Sequence, residues 1–219
     1  MSSVEVRTLK GGPFAFDPKN TALIMIDFQR AFIDAESDLA RRYDLTPMQT
    51  VVPRARTLLA AARRAGLRIV HTREGYAPDF SDVNPLKRSR GLVGRAGTLG
   101  RYLILGEANQ EIVPELAPLA DEAIVDKPGF DAFYRSSLEQ VLYGTTHLLI
   151  CGLTTECCVA STIRGAVDRG FWCLTIIDAC VGVTPALHDT TVQLLCADNL
   201  QFGWIGYVDH VIAGLAQSC

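Results

Sequence analysis

The chain has 219 residues, 48% of them apolar and 21% charged, with a formal net charge of −3. This length and apolar content suffice for one α/β domain with a full core and exclude a disordered chain. The slightly acidic balance offers no basic face to nucleic acid, and no apolar run reaches the roughly 18–20 residues that cross a bilayer.

The first strand signal is Thr21-Ala22-Leu23-Ile24-Met25-Ile26, a continuous apolar run of the kind found in buried parallel strands. A helix is predicted over residues 51–65, with Gly66 as its stop. A second strand follows at 67–72. Residues 75–100 are rich in Gly, Pro, Ser and charge, and a connection of that length is usually functional or mobile. A third strand is predicted at 122–126. Ser136-Ser137-Leu138-Glu139 offers a capping box for the next helix. The fourth strand covers 146–151, and the helix after it ends at Gly170. A fifth strand at 171–177 leads to Asp178. A helix follows Pro185, and a last short strand lies near 202–205. Alternating strands and helices predict a mostly parallel, doubly wound sheet in a three-layer α/β/α domain. No linker or repeat divides the chain, so residues 1–219 are read as a single domain.

Met1 to Arg7 lack a secretion-signal core. Seven cysteines, an odd number without metal-ligand spacing, predict reduced thiols and a cytoplasmic protein. The expected partner is a small molecule, with neither nucleic acid nor membrane.

Ligands of open parallel sheets bind beyond the carboxyl ends of the strands. Asp27 follows the first strand, Arg73 and Glu74 the second, Lys127 the third and Asp178 the fifth. After the fourth comes Gly152-Leu153-Thr154-Thr155-Glu156-Cys157-Cys158, which places Cys158 at a helix start. There the partial positive charge of the helix lowers a thiol pKa, and a nearby lysine favours the thiolate. The thiolate attacks a carbonyl, a carboxylate moves the proton, and backbone N–H groups hold the oxyanion. Asp178 also reads as a cap or turn residue. Scattered histidines at 71, 147, 188 and 210 leave a Cys-His dyad open.

Three segments in order resemble the isochorismatase-like cysteine hydrolases. They are Ala22 to Gln29, Asp126-Lys127-Pro128 with Phe133 beyond it, and Gly152 to Val159. The resemblance spans roughly residues 21–206. It implies Cys158 as nucleophile, Asp27 as acid/base and Lys127 as their partner. It also implies a cis peptide at Leu153–Thr154 that aims the Thr154 N–H, together with that of Cys158, at the oxyanion. Glu74-Gly75-Tyr76 stands where the nicotinamidases of this family carry their metal-binding Asp-x-His, so no metal and no other cofactor is expected. His71-Thr72-Arg73-Glu74-Gly75 and Gln201 to Gly206 resemble the biuret, triuret and ureidoacrylate amidohydrolases. Phe32, Arg73, Glu74, Phe133 and Gln201 then become substrate contacts. Phe130-Asp131 departs from the Lys-Gly of that subgroup and makes a bulkier, negatively charged wall.

The implied activity is cysteine-dependent cleavage of a C–N bond in a small amide or biuret-like ureido compound, through a thioester-type intermediate. The alternatives are an isochorismatase-like ether hydrolase and a thiol redox or binding protein, to which the adjacent Cys157 and Cys158 lend some support. A homo-oligomer, dimer or tetramer, is expected from the family.

Overall fold

The computed structural model describes residues 3–196 and 198–217. Six strands, β1 (Thr21–Ile26), β2 (Arg68–Glu74), β3 (Ala123–Lys127), β4 (His147–Leu153), β5 (Trp172–Val181) and β6 (Trp204–Gly206), form one sheet. Its order is β6-β5-β4-β1-β2-β3, and every neighbouring pair is parallel. All six residues of β1 are buried. A strand covered on both faces has no solvent side on which to alternate, which explains its unbroken apolar run.

The chain winds outward from β1 through β2 to β3, then returns and winds the other way from β4. Right-handed crossovers therefore set helix α1 (Thr46–Arg64), between β1 and β2, and helix α2 (Ala160–Asp168), between β4 and β5, on opposite faces. Helix α3 (Pro185–Leu195) joins β5 to β6, and α4 (Val208–Gln217) follows β6 and packs against α1. This is the doubly wound three-layer domain predicted, with its switch point between β1 and β4.

Some local expectations need correction. Helix α1 begins at Thr46, five residues earlier than its apolar pattern suggests, with proline in its first turn. Two three-residue strands, Val4–Val6 and Phe14–Phe16, pair as an N-terminal hairpin packed on α4. They are too short to carry a readable period, and neither the hairpin nor α4 was foreseen. The capping box at Ser136 does not form. Ser137 makes no side-chain cap, Ser136 Oγ accepts the Leu138 N–H, and the helix is the single turn Leu138–Val141. Asp178 lies within β5, not beyond it. It pairs with Arg54 of α1 at 2.5 Å and accepts the Val208 N–H at 2.8 Å, so it ties α1 and the start of α4 to the sheet.

Candidate active site

At the switch point β4 meets the end of β1 at close range. A Cβ on Gly152 would stand 2.1 Å from the Ile26 carbonyl oxygen, and Gly152 has φ of +137°. Only glycine fits this approach. The Leu153–Thr154 peptide that follows is cis. Residues Thr155–Val159 then form a wide π-type turn, so Cys158 precedes the regular helix α2 instead of lying in its first α-turn. The Thr154 carbonyl accepts N–H groups from Cys157 and Val159 at 3.1 and 3.2 Å. Glu156 Oε1 accepts the Val183 N–H, and Thr155 Oγ1 bonds His188 Nδ1. These contacts hold the turn on both sides.

Asp27 leaves β1 with φ of +52°, a left-handed conformation that a short polar residue tolerates. Thr72 Oγ1 donates to its Oδ1 at 2.7 Å. Its Oδ2 lies 2.7 Å from Lys127 Nζ. That ammonium also donates to the Gly129 carbonyl at 2.8 Å and stands 3.5 Å from Cys158 Sγ. Asp27 and Lys127 are fully buried, and Cys158 is 4% exposed.

The surroundings of the sulfur pull its ionisation in opposite directions. Burial pushes the Cys158 thiol well above its ordinary range; Lys127 opposes this, while Asp27 and Glu74 add to it. Burial thus works against the thiolate that a helix start and a nearby lysine would favour. Burial works against the Lys127 ammonium too, but Asp27, the Cys158 sulfur and Glu74 together outweigh it and hold the lysine above its usual value. Among the described residues no histidine contacts Cys158. His71 bonds Glu122, His188 bonds Thr155, and His147 and His210 pack on aromatic rings.

A second polar group stands on the other side of the sulfur. Glu74 Oε2 is 3.9 Å from Cys158 Sγ. Its Oε1 accepts the Tyr76 hydroxyl at 2.6 Å and pairs with Lys87 Nζ at 2.5 Å. Lys87 also contacts the Tyr76 hydroxyl and lies 4.1 Å from the centroid of Phe130. Gln29 holds the end of β2 by accepting the Glu74 N–H and donating to the Glu74 carbonyl. Asp27, Glu74 and Cys158 bring ligand-type atoms within 4.8 Å of one another. Each carboxylate is already paired with an ammonium, so a divalent cation among them would meet two positive charges at contact range. The donor set does not fit a resident metal.

The sulfur opens on a cavity of about 190 Å³ whose walls include Phe32, Tyr102, Leu103, Phe130 and Leu153, with Glu74, Lys87 and Thr154 as polar members. Of the substrate contacts expected from sequence, Phe32 and Glu74 line this cavity and three others do not. Arg73 neighbours Glu74 on β2, where successive side chains take opposite faces, and it pairs with Asp126 at 2.7 Å. Phe133 is buried in a stack with Phe171 at 5.8 Å, under the Arg169 guanidinium. Gln201 is exposed and precedes β6, at the amino end of the sheet, whereas the cavity lies at the carboxyl ends. Asp131 turns toward Gly165 and leaves Phe130 alone as the wall. Sequence reasoning missed Thr72, Tyr76, Lys87, Tyr102 and Leu103. The last four lie in or just beyond the 75–100 segment, whose unusual length was the signal available.

The isochorismatase domain family matches residues 21–204. The ureidoacrylate amidohydrolase RutB of Serratia proteamaculans is 29% identical, with 92% of this chain and 85% of that protein covered. The enzyme of the same name from Stutzerimonas stutzeri is 30% identical, over 90% of this chain and 83% of its own length. Among solved structures, a cysteine hydrolase from Pseudomonas syringae superposes with a TM-score of 0.81 over the whole of both chains at 23% identity. The N-carbamoylsarcosine amidase of Thermoplasma acidophilum does so with a TM-score of 0.68 at 22% identity, over 87% of this chain and 97% of its own. At those identities the structural likeness speaks to the fold. With most of its length matched by the family, the chain belongs to the isochorismatase family of hydrolases.

Proposed function

We propose that the chain is a cysteine-dependent amidohydrolase that cleaves the C–N bond of a small amide or ureido compound. The observation that carries this reading is Lys127 Nζ 2.7 Å from Asp27 and 3.5 Å from the Cys158 sulfur, at the wall of a cavity. The relatives named for ureidoacrylate hydrolysis support it.

In this reading the Cys158 proton passes to Asp27 as the sulfur bonds to the substrate carbonyl carbon. Burial disfavours a free thiolate, so in this reading the charge on sulfur develops as it attacks. The N–H groups of Thr154 and Cys158 hold the tetrahedral oxyanion, each such donor being worth about 3 kcal/mol of barrier. Asp27 returns the proton to the departing nitrogen, the C–N bond breaks, and ammonia or an amine leaves a thioester on Cys158. Water then attacks that carbonyl and gives a proton to Asp27. The C–S bond breaks, the proton returns to sulfur, and the acid is released. Lys127 holds Asp27 in place throughout and balances its charge.

The test is ammonia release from a panel of carboxamides and ureido compounds with wild type, Cys158→Ala and Cys158→Ser, together with mass spectrometry of acid-quenched enzyme. Turnover by wild type alone, with an acyl mass on the peptide carrying Cys158, is expected. Turnover surviving in Cys158→Ala would remove the nucleophile from this account.

A further inference from the structure

Hydrolysis of the thioester needs a water molecule held in line with its carbonyl carbon. The cavity beside Cys158 offers such a water few anchors, because Phe32, Leu39, Leu103, Phe130 and Leu153 make much of its wall. Asp27 and Lys127 are fully buried, and neither borders the cavity. Among the described residues, Glu74 is the one acid that does. Water entering from the cavity therefore meets the Glu74 carboxylate before that of Asp27.

The two oxygens of that carboxylate have different neighbours. Oε1 is taken by the Tyr76 hydroxyl at 2.6 Å and Lys87 Nζ at 2.5 Å, while Gln29 clamps the Glu74 main chain. These contacts fix the direction of Oε2, which faces the Cys158 sulfur at 3.9 Å. Acylation takes the proton from that sulfur, so Oε2 loses this donor. A carboxylate oxygen left without a donor at a 5% exposed residue is costly, and a water from the cavity supplies one. The spacing suits a single water. Asp27 and Glu74 bring oxygen atoms within 4.8 Å of each other and of the sulfur. A water that donates both its hydrogens, in two bonds of about 2.8 Å, spans acceptors roughly 4.5 Å apart.

We propose that Glu74 is a further catalytic residue, whose Oε2 holds the hydrolytic water during deacylation. The water keeps one hydrogen on Glu74 Oε2 and gives the other to Asp27 as its oxygen bonds to the thioester carbon. The C–S bond then breaks, the sulfur takes the proton back from Asp27, and the acid leaves. Glu74 ends the cycle in the state in which it began. This rests on the amidohydrolase reading and adds to it the residue that orients the water.

An activated ester, p-nitrophenyl acetate, separates the two half-reactions, because it acylates a cysteine quickly and leaves thioester hydrolysis limiting. In stopped flow the burst of nitrophenolate reads acylation, and the steady state reads deacylation. In Glu74→Gln the amide oxygen still accepts from Tyr76 and Lys87, but an NH2 donor faces the water. Its burst rate is expected to stay within about threefold of wild type while its steady-state rate falls at least about tenfold. Acetylated Cys158 should accumulate in acid-quenched samples, and hydroxylamine, a nucleophile that needs no base, should restore release. Glu74→Asp keeps the charge beside Lys87 on a side chain one methylene shorter. It is expected to show the same selective loss, and it decides the matter if Glu74→Gln does not fold. A burst slowed as much as the steady state, a steady state unchanged in the variants, or release that hydroxylamine does not restore sinks this inference alone. A wild type that is not acetylated on Cys158 sinks the amidohydrolase reading beneath it.

Discussion

Replacing Lys127 with methionine separates the electrostatic role of this lysine from its bulk. The side chains of Lys127 and Asp27 are both 0% exposed and 2.7 Å apart. Methionine is of similar length, so little cavity is left behind. What is lost is the charged partner of a carboxylate that then retains the neutral donors Thr72 and Cys158. Breaking a buried ion pair from one side costs about 3–5 kcal/mol, because the remaining charge stays desolvated. For a protein of this size that is a fall of roughly 10 °C in melting temperature. The double variant Asp27→Asn/Lys127→Met removes both charges and is expected to recover to within about 1–2 kcal/mol of wild type. It stays inactive, since asparagine cannot carry the Cys158 proton. Urea unfolding followed by tryptophan fluorescence gives the stabilities of wild type, Lys127→Met, Asp27→Asn and the double variant, with comparison restricted to variants of equal m-value. A single variant that loses less than about 1 kcal/mol, or a double variant as unstable as the two single ones added, would refute the claim that the pair is an electrostatic unit.

Other consequences of the geometry are open to measurement. Gly152→Ala places a methyl 2.1 Å from the Ile26 carbonyl oxygen at φ of +137°, and should cost about 3 kcal/mol or more and abolish turnover; a soluble variant with wild-type activity would contradict the close approach of β4 to β1. Burial opposes ionisation of Glu122, but Arg63, the Leu119 N–H and His71 overcome it and hold the carboxyl at about 2, below its ordinary 4.5. Its stabilisation, about 3 kcal/mol, is therefore complete above pH 4.5 and is lost as pH falls toward 2. Glu122→Ala should accordingly lower stability at pH 7 far more than near pH 2, and equal losses at both would contradict the pairing. Because burial raises the Cys158 thiol above its ordinary 9.0, iodoacetamide should label it slowly at neutral pH, with a rate still rising beyond pH 9. A plateau below pH 8 would mean a standing thiolate. Lys87→Met leaves the Glu74 carboxylate unbalanced 3.9 Å from the sulfur, and should lower kcat/KM by roughly tenfold or more while Lys87→Arg restores part of it. An undiminished Lys87→Met enzyme would remove that ammonium from the chemistry.

The sequence by itself determined the architecture and the three residues at the centre of the site. Strands covered on both faces cannot alternate, so β1 and β4 announce themselves as apolar runs. The residues that end β1 and β3 and follow β4 must then converge, because parallel strands point one way and the winding reverses between β1 and β4. Asp27, Lys127 and Cys158 are legible for that reason. The state of the sulfur was not. Its environment depends on how deeply the turn is buried and on Glu74, which reaches it from a strand two places away in the sheet. Which of Arg73 and Glu74 faces the cavity was likewise decided by the pleat and register of β2, where a shift of one residue exchanges the two sides. Gln201 follows the same logic, since its place at the amino end of β6 puts a whole strand length between it and the cavity. Lys87 and Tyr102 come from the connection between β2 and β3, whose sequence shows no periodicity. Tertiary packing alone folded that loop over the carboxyl ends of the strands and gave the cavity its apolar walls.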